Sequence, residues 1–152
     1  MSYYQLQREQ ILDTSIKDLW KFISRPENLN EITPKSMHFE ILKKQDNEEM
    51  YEGMIIGYKV SPFLNIPLNW VTEITHVKEN CYFVDEQRIG PYKMWHHQHK
   101  ISQEKDGVLM TDIVTYQPPL GLLGKITNYL FIHRKLNHIF DYREEVLKNK
   151  FK

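Results

Sequence analysis

Residues 83–116 constrain this chain most. Turns at Gly90-Pro91 and Asp106-Gly107 cut the stretch into three candidate strands. Asp-Gly is a strong hairpin signal, since both residues tolerate positive φ. Alternate side chains of a strand share a face. One face here carries Phe83, Asp85 and Gln87, then Trp95, His97, His99 and Ile101, then Met110, Asp112, Val114 and Tyr116. A sheet that only fills a core keeps its inner face apolar. This face mixes bulky apolar groups with acids, an amide and imidazoles, the composition of a lined cavity.

The rest of the chain supplies a frame for that face. Residues 3–12 alternate weakly and predict a first strand. Ser15 and Asp18 are spaced as a capping box, and Ile16, Leu19, Trp20 and Ile23 follow at helical spacing. Pro26 suits the first turn of a second short helix, with Leu29 and Ile32 inward, ending before Pro34. The period then changes to that of strands, predicted at 37–42, 51–60, 68–77, 81–88, 92–102 and 108–116. Trp70, Thr72 and Ile74 share one face of the 68–77 strand. A polar turn is expected at 45–49 and a proline-bounded loop at 61–67.

Pro118-Pro119 ends the sheet, and a long helix is predicted beyond Gly121 and Gly124 to about Lys150. The apolar run 120–123 reads as the helix entry, packed under the sheet. Leu123, Ile126, Leu130, Phe140 and Leu147 form one stripe, with Tyr129, Ile132, Leu136, Ile139 and Val146 beside it. An apolar face that wide calls for cover by a sheet. By layer logic the chain is α+β: a curved antiparallel sheet of about seven strands wrapped on a long C-terminal helix, with two short helices after strand 1. Where sheet and helix diverge, a gap remains.

Length and charge narrow the function. The 152 residues suit one domain, 1–152, without repeats or linker. With 41% hydrophobic and 26% charged residues the chain is globular. The 20 basic and 20 acidic residues cancel, so no long-range field draws nucleic acid or an anionic membrane. The single cysteine, Cys81, allows no intramolecular disulfide and has no base beside it. No apolar run reaches the ~18 residues a bilayer span needs, and no charged-then-apolar leader opens the sequence. No stable membrane insertion and a cytoplasmic location are expected.

A family resemblance rests on several motifs: Asn28-Leu29 with Ile32-Thr33-Pro34, Gly53 with Tyr58, and Pro67 with Trp70. Phe83-Val84-Asp85-Glu86-Gln87 with Gly90-Pro91-Tyr92 and Trp95-x-His97-x-His99 follow. Asp112-x-Val114-x-Tyr116 with Pro119-Leu120-Gly121, and Ile139-Phe140-Asp141-Tyr142-Arg143, complete the set. Spread over nearly the whole chain, they resemble the START-like, or SRPBCC, superfamily, which includes the Bet v 1-like pollen allergens, lipid-transfer domains and polyketide cyclases. Within it the chain is similar to small bacterial ligand-binding SRPBCC proteins, some labelled cell-division inhibitor or cyclase/dehydrase. Ile101 stands where an aromatic is common, and Ser15 where proline often begins the first helix. The resemblance implies a helix-grip fold. It names no reaction, because the superfamily spans carriers, sensors and enzymes.

The candidate ligand-binding set is Trp70, Thr72, Phe83, Asp85, Gln87, Trp95, His97, His99, Asp112 and Tyr116. Asp112 is its costliest member, since a buried carboxylate must be paired, hydrated or protonated. Adjacent strands bring His97 or His99 within cross-strand reach of it. A His–Asp pair of this kind fits three readings: a satisfied network that only fixes register, a cavity gripping a ligand, or a proton-transfer site of His97 and Asp112. Imidazoles at i and i+2 facing an acid also begin a metal site. No third histidine or cysteine is fixed by spacing, so neither metal nor other cofactor is expected. His96 should face the other way, into solvent. The expected function is binding of a small hydrophobic or amphipathic molecule, as carrier or sensor. The alternatives are a cyclase/dehydrase-like enzyme and a cell-division-related interaction protein. Oligomeric state is left open.

Overall fold

The computed structural model describes residues 3–42, 49–62, 64–119 and 126–152. The polar turn expected at 45–49 lies outside them except for Glu49, and the apolar run 120–123 lies wholly outside. In chain order the elements are β1 (Tyr4–Leu12), α1 (Ile16–Ile23), 3-10 turns at Pro26–Asn30 and Lys35–Met37, β2 (Glu40–Ile41), β3 (Ile55–Val60), β4 (Leu68–Lys78), β5 (Tyr82–Ile89), β6 (Met94–Glu104), β7 (Gly107–Gln117) and α2 (His133–Lys150). The strands form one antiparallel sheet in the order β1-β7-β6-β5-β4-β3-β2. The first strand thus closes against the last. Among the described residues no helix is long and apolar enough to cross a membrane.

Local chemistry sets these elements. The Ser15 hydroxyl accepts the Asp18 amide at 3.1 Å and donates to the Asp18 carboxylate at 2.7 Å, so it caps α1. The carboxylate meets the hydroxyl here, where a full capping box would turn it to the serine amide. Leu19, Trp20, Phe22 and Ile23 are buried, and the Trp20 ring meets Phe83 edge-on at 6.1 Å. Register shifts at Val71/Thr72 and Ile74/His76 interrupt the β4–β5 ladder. Such bulges bend a strand and increase its twist, which curls the sheet toward α2.

Three expectations change. Residues 37–42 are not one strand: Lys35–Met37 is a 3-10 turn, His38 is left-handed at φ 47, and only Glu40–Ile41 pairs. The Met37 carbonyl accepts the Ser61 amide at 2.7 Å, which ties the turn down and buries Met37. Residues 51–54 form a turn before β3, where Gly53 at φ 88 donates to the Ile74 carbonyl at 2.7 Å. The C-terminal helix, described from Ile126, contains a π turn at Asn128–Ile132. That extra residue per turn shifts the apolar stripe. Ile126 and Leu130, expected inward, are exposed, whereas Ile132, Leu136, Phe140 and Leu147 are buried.

The β6–β7 hairpin offers a test. Gly107 sits at φ 138, and a Cβ there would run into the Leu12 carbonyl. A Cβ on Gly57 would meet only the Leu42 side chain, at 3.8 Å. Gly107→Ala is therefore expected to cost about 2 kcal/mol or more in urea unfolding, and Gly57→Ala less than about 1 kcal/mol.

Candidate functional site

The polar residues of the sheet converge because of register. Asp85 lies opposite His97 across β5 and β6, and His99 lies opposite Asp112 across β6 and β7. Alternation turns all four to the concave face. Asp112 Oδ1 lies 2.9 Å from His97 Nε2 and 3.0 Å from His99 Nδ1. From α2, Arg143 Nη1 reaches the same oxygen at 3.3 Å. Asp85 Oδ2 is 2.7 Å from His99 Nε2 and 3.5 Å from His97 Nδ1. His97, His99, Asp112 and Arg143 are all buried, and the Asp85 side chain is 14% exposed.

Proton placement follows from these contacts. A carboxylate carries no hydrogen, so each ring nitrogen bonded to it must donate. His97 donates from Nε2 to Asp112. His99 donates from Nε2 to Asp85, and its Nδ1 lies 3.0 Å from Asp112 Oδ1 as an ion pair, the arrangement of an imidazolium. Asp85 and Asp112 then carry two negative charges, balanced by His99 and Arg143. Burial opposes the His99 charge, but its bonds to Asp112 and Asp85 prevail and raise its pKa. Burial and the neighbouring His99 lower His97 to about 4, against the pull of both aspartates. Burial favours the neutral form of Asp112, yet Arg143 and the two imidazoles hold its pKa well below the usual carboxylate range. Asp85 is lowered against burial by His97 and His99.

Aromatic rings fix the imidazoles. Phe83 stacks on His99 with centroids 4.1 Å apart, and the two imidazoles lie 3.7 Å apart. Phe140 meets His97 edge-on at 5.6 Å and carries the Arg143 guanidinium 4.8 Å from its centroid.

Beside this cluster lies a cavity of about 130 Å³ between the sheet and α2. That is room for far more than one water. Of the residues singled out in the sequence, Trp70, Thr72, Phe83, Asp85, Trp95, His97 and His99 line it. Asp112 stands behind the two imidazoles and borders a smaller pocket beside Arg8. Gln87 is used elsewhere: its amide accepts from the Tyr92 N–H at 3.2 Å and donates to the Tyr92 carbonyl at 2.7 Å, closing the β5–β6 turn. Tyr116 is fully buried among Tyr4, Tyr92 and Trp95. His96 faces away and bonds the Glu86 carboxylate at 2.9 Å.

Two wall residues escape the sequence pattern. Arg143 falls on the apolar stripe of α2 with Leu136, Phe140 and Leu147, and an arginine in such a stripe is the signal that could have found it. Tyr58 lies two residues past buried Ile56 on β3, stacks on Trp70 at 5.9 Å and shares a 3.1 Å hydrogen bond with Thr72. Burial pushes its phenol pKa up. Two lining residues, Trp70 and Arg143, are each 8% exposed and carry a buried Nε–H without a partner among the described residues.

Asp112 has three donors, and removing it orphans all of them. Asp112→Leu is expected to cost about 3–5 kcal/mol of stability. Adding His97→Phe should recover little, because His99 and Arg143 stay buried without their acceptor. Urea unfolding of the single and double variants reads the difference. Full recovery in the double variant would mean that Asp112 serves His97 alone.

No protein-family model matches the sequence. No curated protein matches it. Solved structures do match. A protein from Thermus thermophilus superposes with a TM-score of 0.73 at 11% identity, over 97% of each chain. A START superfamily protein from Mycobacterium smegmatis gives 0.71 at 11% identity, over 97% of this chain and 96% of that one. A major latex-like protein from Panax ginseng gives 0.70 at 10% identity, over 98% and 97%. Identity this low speaks to fold alone. The curled seven-stranded sheet closed by a C-terminal helix is shared, and the chain has the START-like, helix-grip fold.

Proposed function

We propose that this chain binds one small amphipathic molecule between the sheet and α2, as a carrier or sensor. The cavity carries the reading: about 130 Å³, walled by Trp70, Trp95, Phe83 and α2 side chains, with Asp85, His97, His99 and Arg143 at one part of its surface. Ligand sites are mostly apolar with a few aimed polar groups. A ligand with an apolar body and an oxygen-bearing head matches the aromatic walls and the Asp85, His97, His99 and Arg143 side chains.

A proton-transfer enzyme of the cyclase/dehydrase kind is the competing reading. It draws on the two imidazoles at the cavity wall. Against it, His97 at about 4 is a weak base at neutral pH, and Asp112 stands behind the rings.

Native mass spectrometry of the purified chain tests binding, with an apolar fluorescent fatty acid as titrant. One bound molecule is expected. Ile139, half-buried on the α2 side of the cavity, gives the control. Ile139→Trp fills the space from the helix and should weaken the titrant about tenfold or more with little change in melting temperature. Undiminished binding in that variant would place the ligand elsewhere. A captured molecule that changes mass on incubation, and no longer does so in His97→Gln, would favour the enzyme.

A further inference from the structure

The hydrogen-bond pattern of the two histidines leaves something unused. Asp112 Oδ1 accepts a hydrogen bond from His97 Nε2 at 2.9 Å and lies 3.0 Å from His99 Nδ1. This fixes both tautomers. The opposite nitrogens, His97 Nδ1 and His99 Nε2, both lie beside Asp85 Oδ2, at 3.5 and 2.7 Å. Among the described residues these are the one such group, with ligating atoms all within 4.8 Å of one another. Three lone pairs so close repel unless a cation stands between them. In the metal-free chain a single proton on His99 Nε2 meets part of that need, through the 2.7 Å contact to Asp85. His97 Nδ1, at 3.5 Å, stays outside hydrogen-bond reach.

We infer that Asp85, His97 and His99 form a site for a divalent first-row transition ion, with Asp112 orienting both imidazoles and the remaining coordination positions open to the cavity. Two imidazoles and one carboxylate on one side of an ion suit zinc or ferrous iron. Ligands held at about 2.0–2.2 Å from an ion stand about 3.0–3.4 Å apart. The carboxylate–nitrogen separations here, 2.7 and 3.5 Å, bracket that span, and one ligating atom from each of the three residues lies within 4.8 Å of the others. Metal-bound histidines nearly always donate their other N–H to an oxygen; Asp112 Oδ1 already accepts from His97 Nε2 and lies 3.0 Å from His99 Nδ1. Arg143, bonded to Asp112, keeps that carboxylate ionised. Binding an M²⁺ ion would release the His99 proton, and the cluster would gain one net positive charge. An anionic or chelating oxygen of a cavity ligand would complete it. The metal site stands without that ligand, because all three ligands come from the chain.

The test uses the full chain, stripped with EDTA, dialysed and titrated with Co²⁺ under visible absorption. One equivalent should bind with ligand-field bands, and Zn²⁺ should displace it. His97→Gln and Asp85→Asn should each weaken it about a hundredfold or more, and Asp112→Asn about tenfold or more. His96→Gln, on the outer face, should leave it unchanged. X-ray absorption of the cobalt-loaded unmodified chain covers the case of variants that fail to fold, and should show imidazole scattering. Absence of uptake, uptake equal in the unmodified chain and His97→Gln, or an all-oxygen coordination sphere would each overturn the site. Fatty-acid binding measured on the same samples separates the two proposals. Probe binding without cobalt binding sinks only the metal, and the reverse sinks only the apolar ligand.

Discussion

One buried carboxylate organises this molecule. Asp112 accepts two imidazoles and a guanidinium on a single oxygen. An ionised carboxylate in a low-dielectric interior is tolerable only with such company. Its partners come from β6 and α2, so one charge ties the β6–β7 register to the docking of the long helix. A one-residue slip of β6 would turn both histidines to the outer face and strand the acid.

The same cluster serves the cavity. Asp85, His97 and His99 present their second faces to the space that Asp112 does not occupy. Rings of Phe83 and Phe140 hold the imidazoles from either side. Polar groups held this firmly are pre-organised, and binding loses little entropy in ordering them. A ligand head, a proton or a metal ion would meet the same fixed geometry, and the site's chemistry turns on which of them occupies it.

Much of this is legible in the chain. Strict alternation from Phe83 to Tyr116, cut by Gly90-Pro91 and Asp106-Gly107, marks three strands and an inward polar set, because period two is a local property. The reach of His97 and His99 to Asp112 follows from strand adjacency. What escapes depends on contacts distant in sequence. Met37 alternates with Phe39 and Ile41 as a strand residue would, but its carbonyl is claimed by the Ser61 amide. A helix stripe drawn at 3.6 residues per turn runs across a π turn, so Ile126 and Leu130 fall inward on paper and are exposed in the structure. Arg143 joins the cluster by the packing of α2, which no strand pattern encodes. Gln87 has the right parity for the cavity, yet the tight turn that follows takes both ends of its amide.

The cluster is charge-balanced, with one of its two adjacent imidazoles protonated and the other not. Nitrogen-15 NMR of the histidine rings in the EDTA-treated chain at neutral pH reads this directly. His99 should appear as an imidazolium with both N–H protons protected from water, and His97 as a neutral ring with its proton on Nε2. Two neutral rings, or two charged ones, would contradict it.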